Sequence, residues 1–216
     1  MTVGWTFVGW KNSNTVYLQK NDKDVKDWQI IWEDNFDGSE LDTAKWTRIP
    51  PNTADWGKHM TSDQQCYKMS EGLLYLKGIV NPDTLSDSRP FLTGGVYTKG
   101  KFAFQYGKID IMEHLNFEDI IYQTTHSYYT LELKQKDNPP YYGTTMLDID
   151  QFDTYGLEWY PDRLVFTLNG KETFVSPKVK DVDPSQWPYD QPFYLLVDQQ
   201  LGGSWVGQVD FVKVYQ

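Results

Sequence analysis

Two carboxylic acids three residues apart give this chain its first chemical suggestion. Asp110 and Glu113 lie in the segment Tyr106-Gly107-Lys108-Ile109-Asp110-Ile111-Met112-Glu113-His114-Leu115-Asn116. On a regular strand Lys108, Asp110 and Met112 share one face and Glu113 points to the other. A bulge at Ile111-Met112 would return Glu113 to the side of Asp110. Two acids held together in a cleft suit acid–base work, because each raises the other's pKa. From spacing alone the segment also reads as a solvated strand edge with scattered charges.

Other residues could meet a ligand. Trp56 and His59 sit in the turn-rich run Asp55-Trp56-Gly57-Lys58-His59-Met60. An exposed Trp in a loop suits stacking on the C–H face of a sugar, and it serves equally as a core anchor. Trp205 follows Gly202-Gly203, which let backbone approach a ligand closely. His126 reads either as a partner for a ligand hydroxyl or as a hydrogen-bonded strand histidine, and His59 carries the same two readings. Gln199 and Tyr122 fit a cleft and also fit ordinary inward positions of a sandwich. His114, on the face opposite Glu113, reads as structural. Trp32 and Trp159 read as core, and Cys66 as a small buried hydrophobe.

Composition narrows the ligand. Twenty Lys and Arg against thirty Asp and Glu give a net charge of −10. That balance disfavours nucleic acid, anionic membranes and polyanionic substrates, and leaves a neutral ligand as the expectation. Nine Trp and fifteen Tyr in 216 residues exceed what a core alone would use, which points to aromatic binding surface. One cysteine rules out an internal disulfide framework, and with three His a thiolate zinc site is not expected. No apolar run is long enough for a membrane helix. The N-terminal MTVGWTFVGWKNSN has neither a basic n-region nor a continuous apolar h-region, so it is not a signal peptide.

The elements that must position these residues are strands. Alternation with period two dominates, and Asn169-Gly170 between Val165–Leu168 and Lys171–Val175 predicts a type I′ hairpin. Further strands are expected at 28–33, 73–77, 95–98, 101–106, 109–113, 120–129, 154–159, 193–199 and 211–215. A turn of helix is expected at 183–187, and residues 134–145 read as a polar loop. Many short strands with Gly, Pro and Asn punctuation predict an all-β antiparallel sandwich or barrel in one domain over 1–216. Residues 1–27 would be an N-terminal extension or its first strands.

Asp110-Ile111-Met112-Glu113-His114-Leu115-Asn116 resembles the second half of the Glu-Ile-Asp-Ile-Met-Glu signature of glycoside hydrolase family 16, in its bulged, laminarinase-like branch. The resemblance continues in order along residues 28 to 216. Trp32-Glu33-Asp34-Asn35-Phe36-Asp37-Gly38 with Leu41-Asp42 and Trp46 is similar to the family's opening strand. Thr93–Lys99 and Phe104–Lys108 are similar to the strands before the catalytic motif, and Tyr122–Ser127 to the strand after it. Tyr155–Trp159, Phe193–Leu196, Leu201–Trp205 and Val209–Tyr215 are similar to the closing half.

The resemblance implies a concanavalin-like two-sheet jelly roll with a concave glycan cleft. It implies retaining endo-hydrolysis of neutral β-1,3 or mixed-linkage β-1,3/1,4-glucan by a monomer exported to periplasm, cell surface or medium. By the motif Glu113 is the acid/base and Asp110 its helper, while Trp56, Trp205, His126, Gln199, Tyr122 and His59 would meet the sugar. No cofactor is implied for catalysis. A structural calcium is implied, with Glu33, Gly38 and Asp210 as its ligands.

Two departures accompany the resemblance. The place of the family's nucleophilic Glu, two residues before Asp110, holds Lys108, which cannot form a glycosyl ester. In the family, Tyr-Gly-Lys-Ile also begins an earlier strand, so about two strands look absent here and Lys108 then belongs upstream. A second fusion is expected at Asp210. If the chain is abridged, a catalytically inactive glycan-binding relative is the alternative reading.

Overall fold

The computed structural model describes residues 28–109, 113–114, 119–147, 152–200 and 206–216. Two antiparallel layers enclose one apolar core. One layer is a six-stranded sheet in the order β1 (Ile30–Asp34), β16 (Val212–Tyr215), β7 (Gly107–Ile109), β11 (Tyr155–Trp159), β12 (Arg163–Leu168), β13 (Lys171–Pro177). The facing strands fall into three smaller sheets. These are β10 (Tyr142–Met146), β9 (Ile120–Thr124), β8 (Glu113–His114); β14 (Leu196–Asp198), β6 (Gly95–Tyr97), β2 (Thr47–Arg48); and β15 (Val206–Val209), β4 (Leu73–Val80), β3 (Tyr67–Ser70), with β5 (Phe91–Thr93) also on β4.

Alternation decides which side chains meet in the middle. Ile109, Leu157, Leu164, Phe166, Val212 and Val214 of the six-stranded sheet share a cluster with Leu74, Leu76, Val96, Ile121, Val197 and Val209 of the facing strands. Trp159 sits in this core with the rings of Phe104, Tyr106 and Phe193 each 5.6 Å away and edge-on. Its indole N–H, which burial would otherwise penalise, donates to the Tyr189 carbonyl at 2.9 Å. Trp46 is fully buried and donates to Asp34 Oδ2 at 2.7 Å, and the Phe36 N–H donates to Oδ1 of the same carboxylate at 3.0 Å.

The β12–β13 hairpin forms as expected. Asn169 and Gly170 take φ of 51° and 76°, the positive pair that a type I′ turn needs. The 3-10 turn Pro184–Gln186 matches the expected helical turn, with Asp183 Oδ1 accepting the Ser185 N–H at 2.9 Å.

Three expectations need correction. Residues 101–106 do not form a strand, and only Phe104 bridges to Phe193. The alternating Phe102, Phe104 and Tyr106 spend their apolar surface on ring packing in the core. The strand expected over 120–129 stops at Thr124. Ser127 then caps the helical turn α1 (Tyr128–Leu131), where the Thr130 N–H donates to Ser127 Oγ and the Ser127 N–H donates to Thr130 Oγ1. The supposed polar loop 134–145 contains most of β10, whose uncharged Tyr-Gly-Thr-Thr-Met pairs with β9 along its length.

Candidate functional site

The face that bears on function is the one these smaller sheets turn away from the core. Pairing of β14 with β6 sets Val197 opposite Val96, and both enter the core. Their neighbours therefore point the other way: Leu196 opposite Tyr97, and Asp198 opposite Gly95. On that outer face Ile49, Met60 and Leu196 form a second, small apolar cluster, with Trp56, Tyr97 and Tyr194 half-buried against it. The Tyr97 and Tyr194 rings stand 5.9 Å apart.

Trp56 reaches this cluster from the single 3-10 turn Asp55–Gly57, where Gly57 N–H donates to Ala54 O at 3.0 Å. A Cβ on Gly57 would lie 2.0 Å from Asn52 Nδ2, so a larger residue there would have to displace that exposed side chain. Gly95 keeps the floor flat. A Cβ on it would stand 2.8 Å from Asp198 Cβ, 2.9 Å from Ile49 Cδ1 and 2.9 Å from Met60 Sδ. Asp198 is fully buried beside it and accepts from Gln200 Nε2 at 3.3 Å.

Tyr67 braces the same floor from β3. Its hydroxyl proton is shared between the carbonyls of Thr61 (2.6 Å) and Gly95 (2.9 Å), and its oxygen accepts the Gly95 N–H at 3.0 Å. Burial pushes its pKa up to about 12. Burial likewise raises the Cys66 thiol to about 11, which leaves it an inert core residue.

The other sequence-predicted residues distribute as follows. Tyr122 lies on β9 directly across from Glu113 of β8. His126, two residues past β9, is half-buried, and its carbonyl accepts the Tyr189 hydroxyl at 2.9 Å. Gln199, one residue past β14, is half-buried and donates its side-chain amide to the Gln200 carbonyl at 3.0 Å. His59 is half-buried, 3.3 Å through Nδ1 from the Phe91 carbonyl and edge-on to the Phe91 ring, a pairing that requires the Nδ1–H tautomer. Asp110 and Trp205 lie outside the described residues. Tyr97, Tyr194 and Asp198 were not singled out from sequence. The Gly95-Val96-Tyr97 alternation carries the signal for Tyr97 once Val96 is known to be core.

Lys108 lies on β7, in the six-stranded layer, opposite Glu158 and Tyr215, with Nζ 5.8 Å from the Tyr215 ring centroid. Its neighbour Ile109 enters the core, so Lys108 and Glu158 face outward. The reading in which Lys108 belongs to an upstream strand is the one the register supports. Glu158 accepts the Tyr160 hydroxyl at 2.6 Å and belongs to the same outer face.

Two of the implied calcium ligands, Glu33 and Gly38, line an acidic hollow of about 350 Å³ with Asp34, Asp37, Glu40 and Asp42. Lys45 enters the same hollow and donates to the Glu33 carbonyl at 2.8 Å, with Asp34 Oδ1 at 3.7 Å. Among the described residues no group of three His, Cys, Asp or Glu side chains is placed to hold a metal ion.

Comparisons with known proteins agree with this architecture. No protein-family model matches the chain. It is 26% identical over 254 residues to a keratan-sulfate endo-1,4-β-galactosidase of Sphingobacterium multivorum, covering 94% of this chain and 59% of that protein. It is 25% identical over 256 residues to a β-glucanase of Rhodothermus marinus, covering 88% and 85%. The chain thus spans about three fifths of the first relative and most of the second.

Two solved structures show the fold. The laminarinase of Rhodothermus marinus superposes with a TM-score of 0.75 at 21% identity, over 88% of this chain and 97% of that one. A non-specific endo-β-1,3(4)-glucanase from family 16, co-crystallised with 1,3-β-D-cellotriosyl-glucose, superposes at 0.74 and 20% identity, over 89% and 96%. By sequence the chain is similar to bacterial β-glucanase and galactosidase relatives, and its fold is the antiparallel jelly roll of the laminarinases.

Proposed function

We propose that the chain binds neutral β-1,3 or mixed-linkage β-1,3/1,4-glucan across the outer face of β8, β9, β14 and β6, and hydrolyses it internally with retention. One observation carries the reading. Trp56, Tyr97 and Tyr194 present half-buried aromatic surface on the face of the β14–β6 sheet turned away from the core. Such surface stacks on sugar C–H faces, and polar tips around it orient hydroxyls. Glu113 would protonate the leaving oxygen, and Asp110 would tune the partner carboxylate. Retention calls for two carboxyl groups about 5 to 5.5 Å apart.

Charge chooses among the substrates of the relatives. A sulfated, anionic polymer such as keratan sulfate would meet a protein of net charge −10, whereas a neutral glucan meets no such repulsion. A polymeric substrate also places the protein outside the cytoplasm.

A second reading, glycan binding without cleavage, is favoured by a specific observation. β8 and β14 are both end strands of their sheets among the described residues, and no Glu stands two residues before Asp110. The alignment to the first relative runs over 254 residues, more than the 216 of this chain, so that relative has segments without counterpart here. A strand absent between β8 and β14 would account for both.

Reducing-sugar release from laminarin and lichenan separates the readings, with Glu113→Gln as control. Release by the parent chain that the variant loses supports hydrolysis. Binding without release supports the second reading. Neither binding nor release overturns both.

A further inference from the structure

We propose that Tyr142, backed by Tyr122, forms a second aromatic platform that holds the glucan chain on the β10 side of the catalytic strand. The inference rests on the glucan-binding reading above and adds a subsite to it.

Register fixes the placement. Glu113 pairs with Tyr122, Tyr122 with Thr144, and Thr124 with Tyr142. Tyr122, Thr124, Tyr142 and Thr144 therefore share one face of the sheet. The opposite face is closed. Ile121 enters the core, and a Cβ on Gly143 would stand 2.7 Å from the Phe174 side chain of β13. The Tyr122 face is the open one, and along β10 it exposes Tyr142 (43%), Thr144 and Met146 (67%).

The Tyr142 ring is held before any ligand arrives. Tyr122 lies 6.0 Å from it with the planes 32° apart, and Tyr141 abuts it edge-on at 4.9 Å. A ring fixed from two sides loses little freedom on binding, which is what a stacking platform needs. Thr124 and Thr144 set hydroxyls beside it. Strands lie about 4.8 Å apart, so β10 is about 10 Å from β8. The Trp56–Tyr97–Tyr194 platform belongs to the separate β14–β6 sheet and would be a distinct contact for the same ligand. A neutral chain also suits this strip, since no charged side chain interrupts Tyr142, Thr144 and Met146 along the open face of β10.

The test is binding of laminari-oligosaccharides from trisaccharide to hexasaccharide by titration calorimetry. The parent chain and the variants Tyr142→Ala and Tyr142→Phe are compared, each checked for an unchanged circular dichroism spectrum. The parent should bind the longer oligosaccharides more tightly. Tyr142→Ala should weaken hexasaccharide binding by about fivefold to tenfold and flatten the gain with length, and Tyr142→Phe should keep it. A Tyr142→Ala variant that binds hexasaccharide as tightly as the parent overturns the platform while glucan binding stands. A change in sedimentation with glucan affinity unaltered also overturns it, by assigning Tyr142 to contact between copies of the chain. A parent that binds no oligosaccharide overturns the glucan reading itself, and the platform with it.

Discussion

Lys108 and Glu158 stand directly opposite one another on the outward face of the six-stranded sheet, one on β7 and one on β11. The residue that takes the nucleophile's place when the sequence is counted back from Asp110 is thus built into the six-stranded sheet. β7 ends at Ile109 in the six-stranded sheet, and β8 begins at Glu113 in a different sheet.

Lys108→Glu should therefore add no hydrolysis to that of the parent chain. It would put two acids opposite each other on neighbouring strands, where like charges cost on the order of 0.2–1 kcal/mol. Reducing-sugar assays should show no gain over the parent, and the urea midpoint should fall slightly. A large gain in cleavage would place Lys108 at the catalytic centre after all.

Tyr67→Phe should destabilise the chain by about 1–3 kcal/mol, since it leaves buried polar groups of Thr61 and Gly95 without their hydroxyl partner. Urea denaturation measures this. An unchanged midpoint would mean that the hydroxyl bears no part of the floor.

Tyr67 also sets an alkaline limit. Burial raises its pKa from about 10 to about 12, so the folded chain holds this proton more tightly than the unfolded chain. Its contribution is complete below pH 10 and is lost as pH rises from 10 through 12. Buried Tyr155 and Tyr189, shifted upward by desolvation, act in the same sense. Circular dichroism across pH 8–12 should show unfolding in that window, absent below it.

Gly95→Ala should overpack the floor between Asp198, Ile49 and Met60, at a cost of about 1–3 kcal/mol. Because Tyr97 and Trp56 rest on the same cluster, glucan affinity should fall with stability. Normal stability and normal affinity together would remove Gly95 from the binding face.

Much of this was legible in the sequence. The Asn169-Gly170 turn, the alternation of β4, β11 and β12, and the burial of Trp159 follow from period two and turn chemistry. β10 was not legible, because Tyr142, Thr144 and Met146 face solvent and no apolar stripe marks the strand. The run at 101–106 misled for the opposite reason: its alternating aromatics pack as rings without a ladder. At the site, Trp56 could be named from sequence. Tyr97 needed the β14–β6 register, and Tyr194 the packing of its ring against Tyr97 and the Leu196 cluster. The position of Lys108 depended on a change of sheet that no local pattern announces.

Electrophoresis of the native chain through gels containing laminarin tests the central claim most directly. The account predicts mobility that falls as laminarin concentration rises, with keratan sulfate in place of laminarin producing no retardation. Mobility unchanged at every laminarin concentration would contradict it.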